Sequence, residues 1–185
     1  MRGAKLIVTI VAKRYANALY EYAKEKNNVE QILDELKSLV DLYESSADFQ
    51  ELVKNPLIKR SEKEKVFEEL KNRNAISETL YNFLLMLTEK NRLNLIVEIY
   101  MHYRILLMED RGEVDAYVKI ADDYDDVLKK EIGDVLSKVT GKKVNLNIEI
   151  DKTILGGFVA QVKSNMYDAS IKGQLRKLKE TLLQV

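Results

Sequence analysis

Residues 104–120 read RILLMEDRGEVDAYVKI, and the hydrophobic period of the chain changes inside them. Up to Asp110 apolar residues return every three to four positions. From Glu113 they alternate, with Val114, Ala116, Val118 and Ile120 apolar and Glu113, Asp115, Tyr117 and Lys119 between them. The first spacing is that of one helix face and the second that of a half-buried strand, so one element cannot hold both. Gly112 marks the break. The 185 residues are therefore predicted to form two parts, 1–110 and 111–185.

Upstream of the break the pattern predicts six amphipathic helices, near 9–26, 29–45, 47–54, 62–72, 75–90 and 93–109. Asn28 with Gln31, Ser45 with Asp48 and Ser61 with Glu64 each place a capping side chain three residues before a carboxylate or amide, the signature of a helix start. Asn55-Pro56 forces an extended residue and removes a donor, ending the third helix. Lys90-Asn91-Arg92 supplies another tight junction. Connections this short make neighbours antiparallel, which predicts a six-helix bundle. The opening MRGAKLIVTI has too short an apolar stretch, and no small-residue cleavage site, for a signal peptide; it is expected to be an extended or disordered tail.

Downstream, Val144, Leu146, Ile148 and Ile150 alternate again, and Phe158, Ala160 and Val162 follow Gly156-Gly157 as a third short strand. Between the first two strands, Val127, Leu128, Ile132, Val135, Leu136 and Val139 form a helical stripe ending at Gly141. Ile171, Leu175, Leu178 and Leu182 give a last helix, flanked by Lys172, Arg176, Lys177 and Lys179. The fold class is thus mainly α: an N-terminal six-helix bundle followed by a small α+β unit of strand-helix-strand-strand-helix.

Composition narrows the function. Hydrophobic residues make up 46% and charged residues 32%, enough for a core under a charged surface. Thirty basic residues balance thirty acidic ones, so no net field draws the whole chain to nucleic acid or an anionic membrane. No cysteine is present, which removes disulfides, thiolate metal sites and thiol nucleophiles. The single histidine, His102, has no catalytic partner in the sequence. No apolar run approaches the roughly 20 residues that cross a bilayer. Asp122, Asp123, Asp125 and Asp126 lack the spacing of a calcium loop and suit a helix N-terminus. Gly141-Lys142 and Gly156-Gly157 lack the spacing of phosphate-binding loops. The cations of the last helix have no aromatic residues among them, against a nucleic-acid face. No cofactor and no metal is implied.

What stands out is apolar surface. At about 100° per residue, Val11, Ala12, Tyr15, Ala16, Ala18, Leu19, Tyr20, Tyr22 and Ala23 fill an arc of roughly 200° on the first helix. Such an arc belongs either to a helix covered on two sides within its own bundle or to the wall of a docking groove. The fifth helix is apolar almost all round, and Met86 stands away from its Leu80, Leu84 and Leu87 side. From the residues alone, a helical protein-binding adaptor of any kind fits.

Several short motifs then fall in a familiar order. Ala12, Tyr15-Ala16 and Ala18-Leu19, the Asn55-Pro56 break with Lys59, Asn91-Arg92-Leu93, Lys142-Lys143-Val144, Asp151, Gly156-Gly157, Asp168, Ser170 and Leu175 together resemble the delta subunit family of the bacterial F-type ATP synthase. The mitochondrial counterpart is the oligomycin sensitivity conferral protein. Ala169 and Ser164 depart from the family pattern, where glycines are common. The resemblance implies a non-catalytic stator subunit, peripheral on the cytoplasmic face of the bacterial inner membrane and attached to the membrane only through the complex. It implies that residues 1–110 receive the N-terminal helix of an α subunit between the first and fifth helices, through Tyr15, Ala18, Leu19, Tyr22 and Met86. It implies that residues 111–185 receive the end of subunit b through Phe158, Ile171, Leu175, Leu178 and Leu182.

Overall fold

Thr9 opens the first helix by accepting a hydrogen bond from the Ala12 amide at 3.2 Å. Helices α1 (Ile10–Glu25), α2 (Val29–Ser45), α3 (Ala47–Lys54), α4 (Arg60–Asn72), α5 (Glu78–Glu89) and α6 (Ile96–Asp110) follow, with a 3-10 turn over Leu93–Leu95 leading into α6. This computed structural model describes residues 9–122 and 124–183, without the side chains of Lys177, Leu178, Thr181 and Leu183; the expected N-terminal tail lies outside the described residues except for Thr9 and Ile10.

The helix starts differ from the sequence reading in detail. Ser46, one residue beyond the expected Ser45, caps α3 by accepting from the Phe49 amide. Lys59 precedes α4, so Ser61 lies inside that helix. Asn28 does stand before α2 but makes no side-chain cap, and its buried Oδ1 has no hydrogen-bond partner. Ser77, accepting from the Leu80 amide, starts α5 three residues later than expected.

Three helix ends use one device. Asn27, Asn74 and Asn91 follow α1, α4 and α5 in the left-handed region, with φ of 54°, 56° and 53°. The next residue's amide reaches back to Ala23, Leu70 and Leu87 respectively, which satisfies a carbonyl the helix leaves open.

Residues Met1–Leu107 form one compact unit. Every one of its helices contributes to one core, including Ala12 and Ala16 of α1, Leu36 of α2, Phe49 of α3, Phe67 of α4, Leu84 of α5 and Ile99 of α6. Tyr103 is fully buried, edge-on to Tyr20 at 5.3 Å, and its hydroxyl donates to the Val29 carbonyl at 3.0 Å. Burial pushes its phenol well above the usual range.

Residues Met108–Val185 form the second unit. It contains β1 (Glu113–Ile120), α7 (Asp126–Thr140), β2 (Lys143–Ile150), β3 (Phe158–Val162), β4 (Asn165–Asp168) and α8 (Ile171–Leu183). The sheet order is β2-β1-β3-β4, with β1 and β2 parallel and the other pairs antiparallel. Val114, Ala116, Val118 and Ile120 face the core with Ala160, Val162, Ile132 and Leu136. Strand β4 was not expected. Its Asn-Met-Tyr-Asp sequence has no alternation, and it exists because the two-residue turn Lys163-Ser164 folds it back onto β3. On α7 only Ile132 and Leu136 are buried; Val127, Leu128, Val135 and Val139 of the predicted stripe stay exposed. Asp125 caps α7 by accepting from the Leu128 amide at 2.8 Å, so this member of the acidic run serves a helix start. Among the described residues no helix is long and apolar enough to cross a membrane.

Candidate docking site

The apolar arc of α1 divides in two. Ala12, Ala16, Leu19, Tyr20 and Ala23 are buried in the core, whereas Val11 and Tyr15 are half-buried and Ala18 and Tyr22 are exposed. The second set lies along one side of the helix, at steps of three and four residues, so it forms a continuous strip beside the core. Leu19 is 3% exposed, so it supports this strip from beneath and does not line it.

Helix α5 borders the strip. The Tyr15 ring meets Phe83 edge-on, with centroids 6.3 Å apart and planes at 74°. Met86, one turn beyond Phe83, is 37% exposed, and Tyr22 is 47% exposed. Four of the five residues expected at the head-facing surface are thus solvent-accessible: Tyr15, Ala18, Tyr22 and Met86. Small Ala18 between two tyrosines leaves room for a close approach, and the rings offer large contact area with few rotors to immobilise.

One further residue of this surface follows no helix period. Arg92, just past α5, donates from Nη1 to the Tyr15 hydroxyl at 2.8 Å, and its guanidinium lies 5.4 Å from the ring centroid. It fixes the ring while leaving a cation at the edge of the strip. The sequence signal for it was only the Asn91-Arg92-Leu93 motif, which gave it no role.

In the second unit the apolar stripe of α8 is uncovered: Leu175 is 61% and Leu182 69% exposed, with Ile171 about half so. The side chain of Leu178 lies outside the described residues. Phe158 is half-buried and packs against the sheet core. A built corner brings it close to the start of α8. The Ala169 amide donates to the Phe158 carbonyl at 2.9 Å and the Ile171 amide to the Gly156 carbonyl at 3.0 Å. Asp168 accepts from the Ser170 amide and hydroxyl and from Arg176, while the Ser170 hydroxyl accepts from the Gly173 amide. Gly157 has a φ of +77°, and a Cβ there would lie 2.4 Å from the Ala169 carbonyl oxygen. The Gly156-Gly157, Asp168 and Ser170 motifs therefore set the direction in which α8 leaves the sheet.

Asp151 accepts from the Thr153 hydroxyl and amide and from Lys119 at 3.1 Å. Those hydrogen bonds, the Thr153 hydroxyl foremost, hold its carboxyl down to about 2. They close the turn after β2.

Two apolar helix surfaces, one on each unit, are thus left exposed, the makeup of protein-docking faces. The sequence matches the family model "ATP synthase delta (OSCP) subunit" over residues 11–182. It is 36% identical over 183 residues to the ATP synthase subunit delta of Desulforamulus reducens, covering 99% of this chain and 97% of that one. It is 34% identical over 179 residues to the subunit of the same name from Roseobacter denitrificans, covering 97% and 96%. A chain in the Toxoplasma gondii mitochondrial ATP synthase hexamer has the same fold, with a TM-score of 0.67, 23% identity and coverage of 95% of this chain and 98% of that one. A chain in the Polytomella F-ATP synthase matches 57% of this chain and 92% of its own at a TM-score of 0.52 and 18% identity. The chain belongs to the ATP synthase delta (OSCP) subunit family, whose members are non-catalytic stator subunits of the F-type ATP synthase.

Proposed function

We propose that the strip formed by Tyr15, Ala18, Tyr22 and Met86 receives the N-terminal helix of an α subunit. The six helices of residues 1–110 act as the bundle that holds this strip, with Leu19 behind it. Residues 111–185 receive the end of subunit b, through the α8 stripe of Ile171, Leu175, Leu178 and Leu182 with Phe158 at its root. The chain then links the catalytic head to the peripheral stalk on the cytoplasmic face of the bacterial inner membrane, and it touches the membrane only through the complex. Held this way, the head does not turn with the rotor, and torque is spent on catalysis.

The observation that carries this reading is the division of the α1 arc, half in the core and half at the surface beside an exposed Met86. A helix of matching apolar face would bury that half. Stators need slow dissociation, which apolar burial provides better than exposed ion pairs worth at most about 1 kcal/mol each.

Titration calorimetry with a peptide of the α-subunit N-terminus tests the first contact. The wild-type chain should bind it, and Met86→Lys should weaken binding about tenfold with an unchanged melting temperature. No binding to the wild type would sink the assignment. For the second contact, Leu175→Asp should abolish capture of the subunit b C-terminal segment while leaving stability intact, because the side chain is exposed.

A further inference from the structure

Both tyrosines of the α1 strip carry a cation. Lys26 Nζ lies 5.8 Å from the Tyr22 ring centroid, and the Arg92 guanidinium lies 5.4 Å from that of Tyr15. The two are held differently. Lys26, just past the end of α1, reaches its ring on a flexible stem and is strongly hydrated. Arg92 is fixed twice, over the ring and by the 2.8 Å bond from Nη1 to the Tyr15 hydroxyl.

That fixed charge has no counter-charge. Among the described residues no carboxylate pairs with Arg92. Glu89, the acid nearest to it in sequence, pairs with Lys90 at 3.8 Å, and the neighbouring Asn91, Leu93 and Asn94 are uncharged. A guanidinium has five N–H donors, and the phenol takes one. In the free protein Arg92 is exposed, so water serves the others.

Docking changes this balance. A helix laid on Tyr15 also covers the guanidinium that rests on it, and a wholly apolar face would strip water from an unpaired cation, a cost that opposes binding. A carboxylate at the margin of that face removes the cost, because the planar fork of an arginine accepts it through two parallel hydrogen bonds. Shielded by the helix itself, such a pair is stronger than one in open solvent.

We infer that Arg92 selects the occupant of the strip: an amphipathic helix that carries a carboxylate beside the apolar residues covering Tyr15. The inference rests on the docking of the α-subunit helix proposed above and adds the charge that this helix must bear.

Titration calorimetry compares the α-subunit N-terminal peptide with the same peptide in which Asn and Gln replace every Asp and Glu. The wild-type chain should bind the amide peptide about tenfold more weakly. Arg92→Gln should bind the unmodified peptide about tenfold more weakly than the wild type does, and should distinguish the two peptides by less than about twofold. A role for Arg92 only in holding the Tyr15 ring would weaken both peptides alike, and a change in peptide helicity would affect both proteins alike, so neither reproduces this pattern. Arg92→Lys, which keeps the charge and loses the fork, should retain part of the discrimination. Lys26→Gln removes an equal charge from the other tyrosine and should leave the discrimination whole. Melting curves check that all three variants fold. No binding of the unmodified peptide to the wild type would overturn the docking, and this inference with it. Binding of both peptides with equal affinity by the wild type, tenfold discrimination surviving in Arg92→Gln, or its loss in Lys26→Gln would overturn the role of Arg92 and leave the docking standing.

Discussion

Replacing Tyr15 probes the α1–α5 strip where its contacts are best defined. The ring meets Phe83 edge-on at 6.3 Å and Arg92 donates to its hydroxyl at 2.8 Å. An edge-on aromatic pair contributes about 0.5–1.5 kcal/mol beyond burial. The bond to solvent-exposed Arg92 contributes about 1 kcal/mol or less. Tyr15→Ala should therefore destabilise the free protein by roughly 1–3 kcal/mol and leave it folded at 25 °C. Tyr15→Phe keeps the ring and should stay within about 1 kcal/mol of wild type. Binding should separate these variants further. Truncating an aromatic anchor at the centre of an interface typically removes about 2 kcal/mol or more, which is about thirtyfold in Kd. Titration calorimetry with the α-subunit N-terminal peptide should show that loss for Tyr15→Ala, at least as large a loss for Tyr15→Asp, and a change below about threefold for Tyr15→Phe. If the alanine variant is still helical by circular dichroism and binds as the wild type does, the incoming helix does not lie on this strip.

Gly157→Ala should destabilise the second unit by about 2 kcal/mol or more, because a positive φ and a close carbonyl leave its methyl group no place; a urea midpoint equal to wild type would contradict this. Asp151 gives a pH signature. Its folded-state carboxyl is held near 2 from an ordinary 3.8, so the unfolded chain takes up the proton first. The stability it supplies is complete above about pH 4–5 and is lost as pH falls toward 2. Asp151→Asn should flatten this part of the acid limb, and an unchanged slope of denaturation midpoint against pH would dispose of the argument.

The long periodic segments were readable because amphipathic spacing reports which face a helix or strand buries. Helix starts were less so: Ser45 and Ser46 are adjacent, and only the backbone decides which one turns its hydroxyl onto Phe49. Strand β4 carries no pattern of its own and is called into place by β3. The α7 stripe shows the limit of periodicity, since six apolar positions define a face but not how much of it the sheet covers. The same limit applies to the docking strip. Sequence gave the width of the α1 arc, but its division into core and surface depends on where α5 and Phe83 arrive. Arg92 was invisible as a contact because it stands in a junction, where no period constrains it.

The asparagines that close α1, α4 and α5 have an effect on the side of the equilibrium where no structure exists. Glycine would enter the left-handed region with less strain, but it would widen the range of conformations open to the unfolded chain at each junction. Asparagine tolerates that region and leaves the unfolded chain fewer alternatives. Part of the resistance of the N-terminal unit to unfolding thus comes from the disorder these three positions forgo, in addition to the contacts they make.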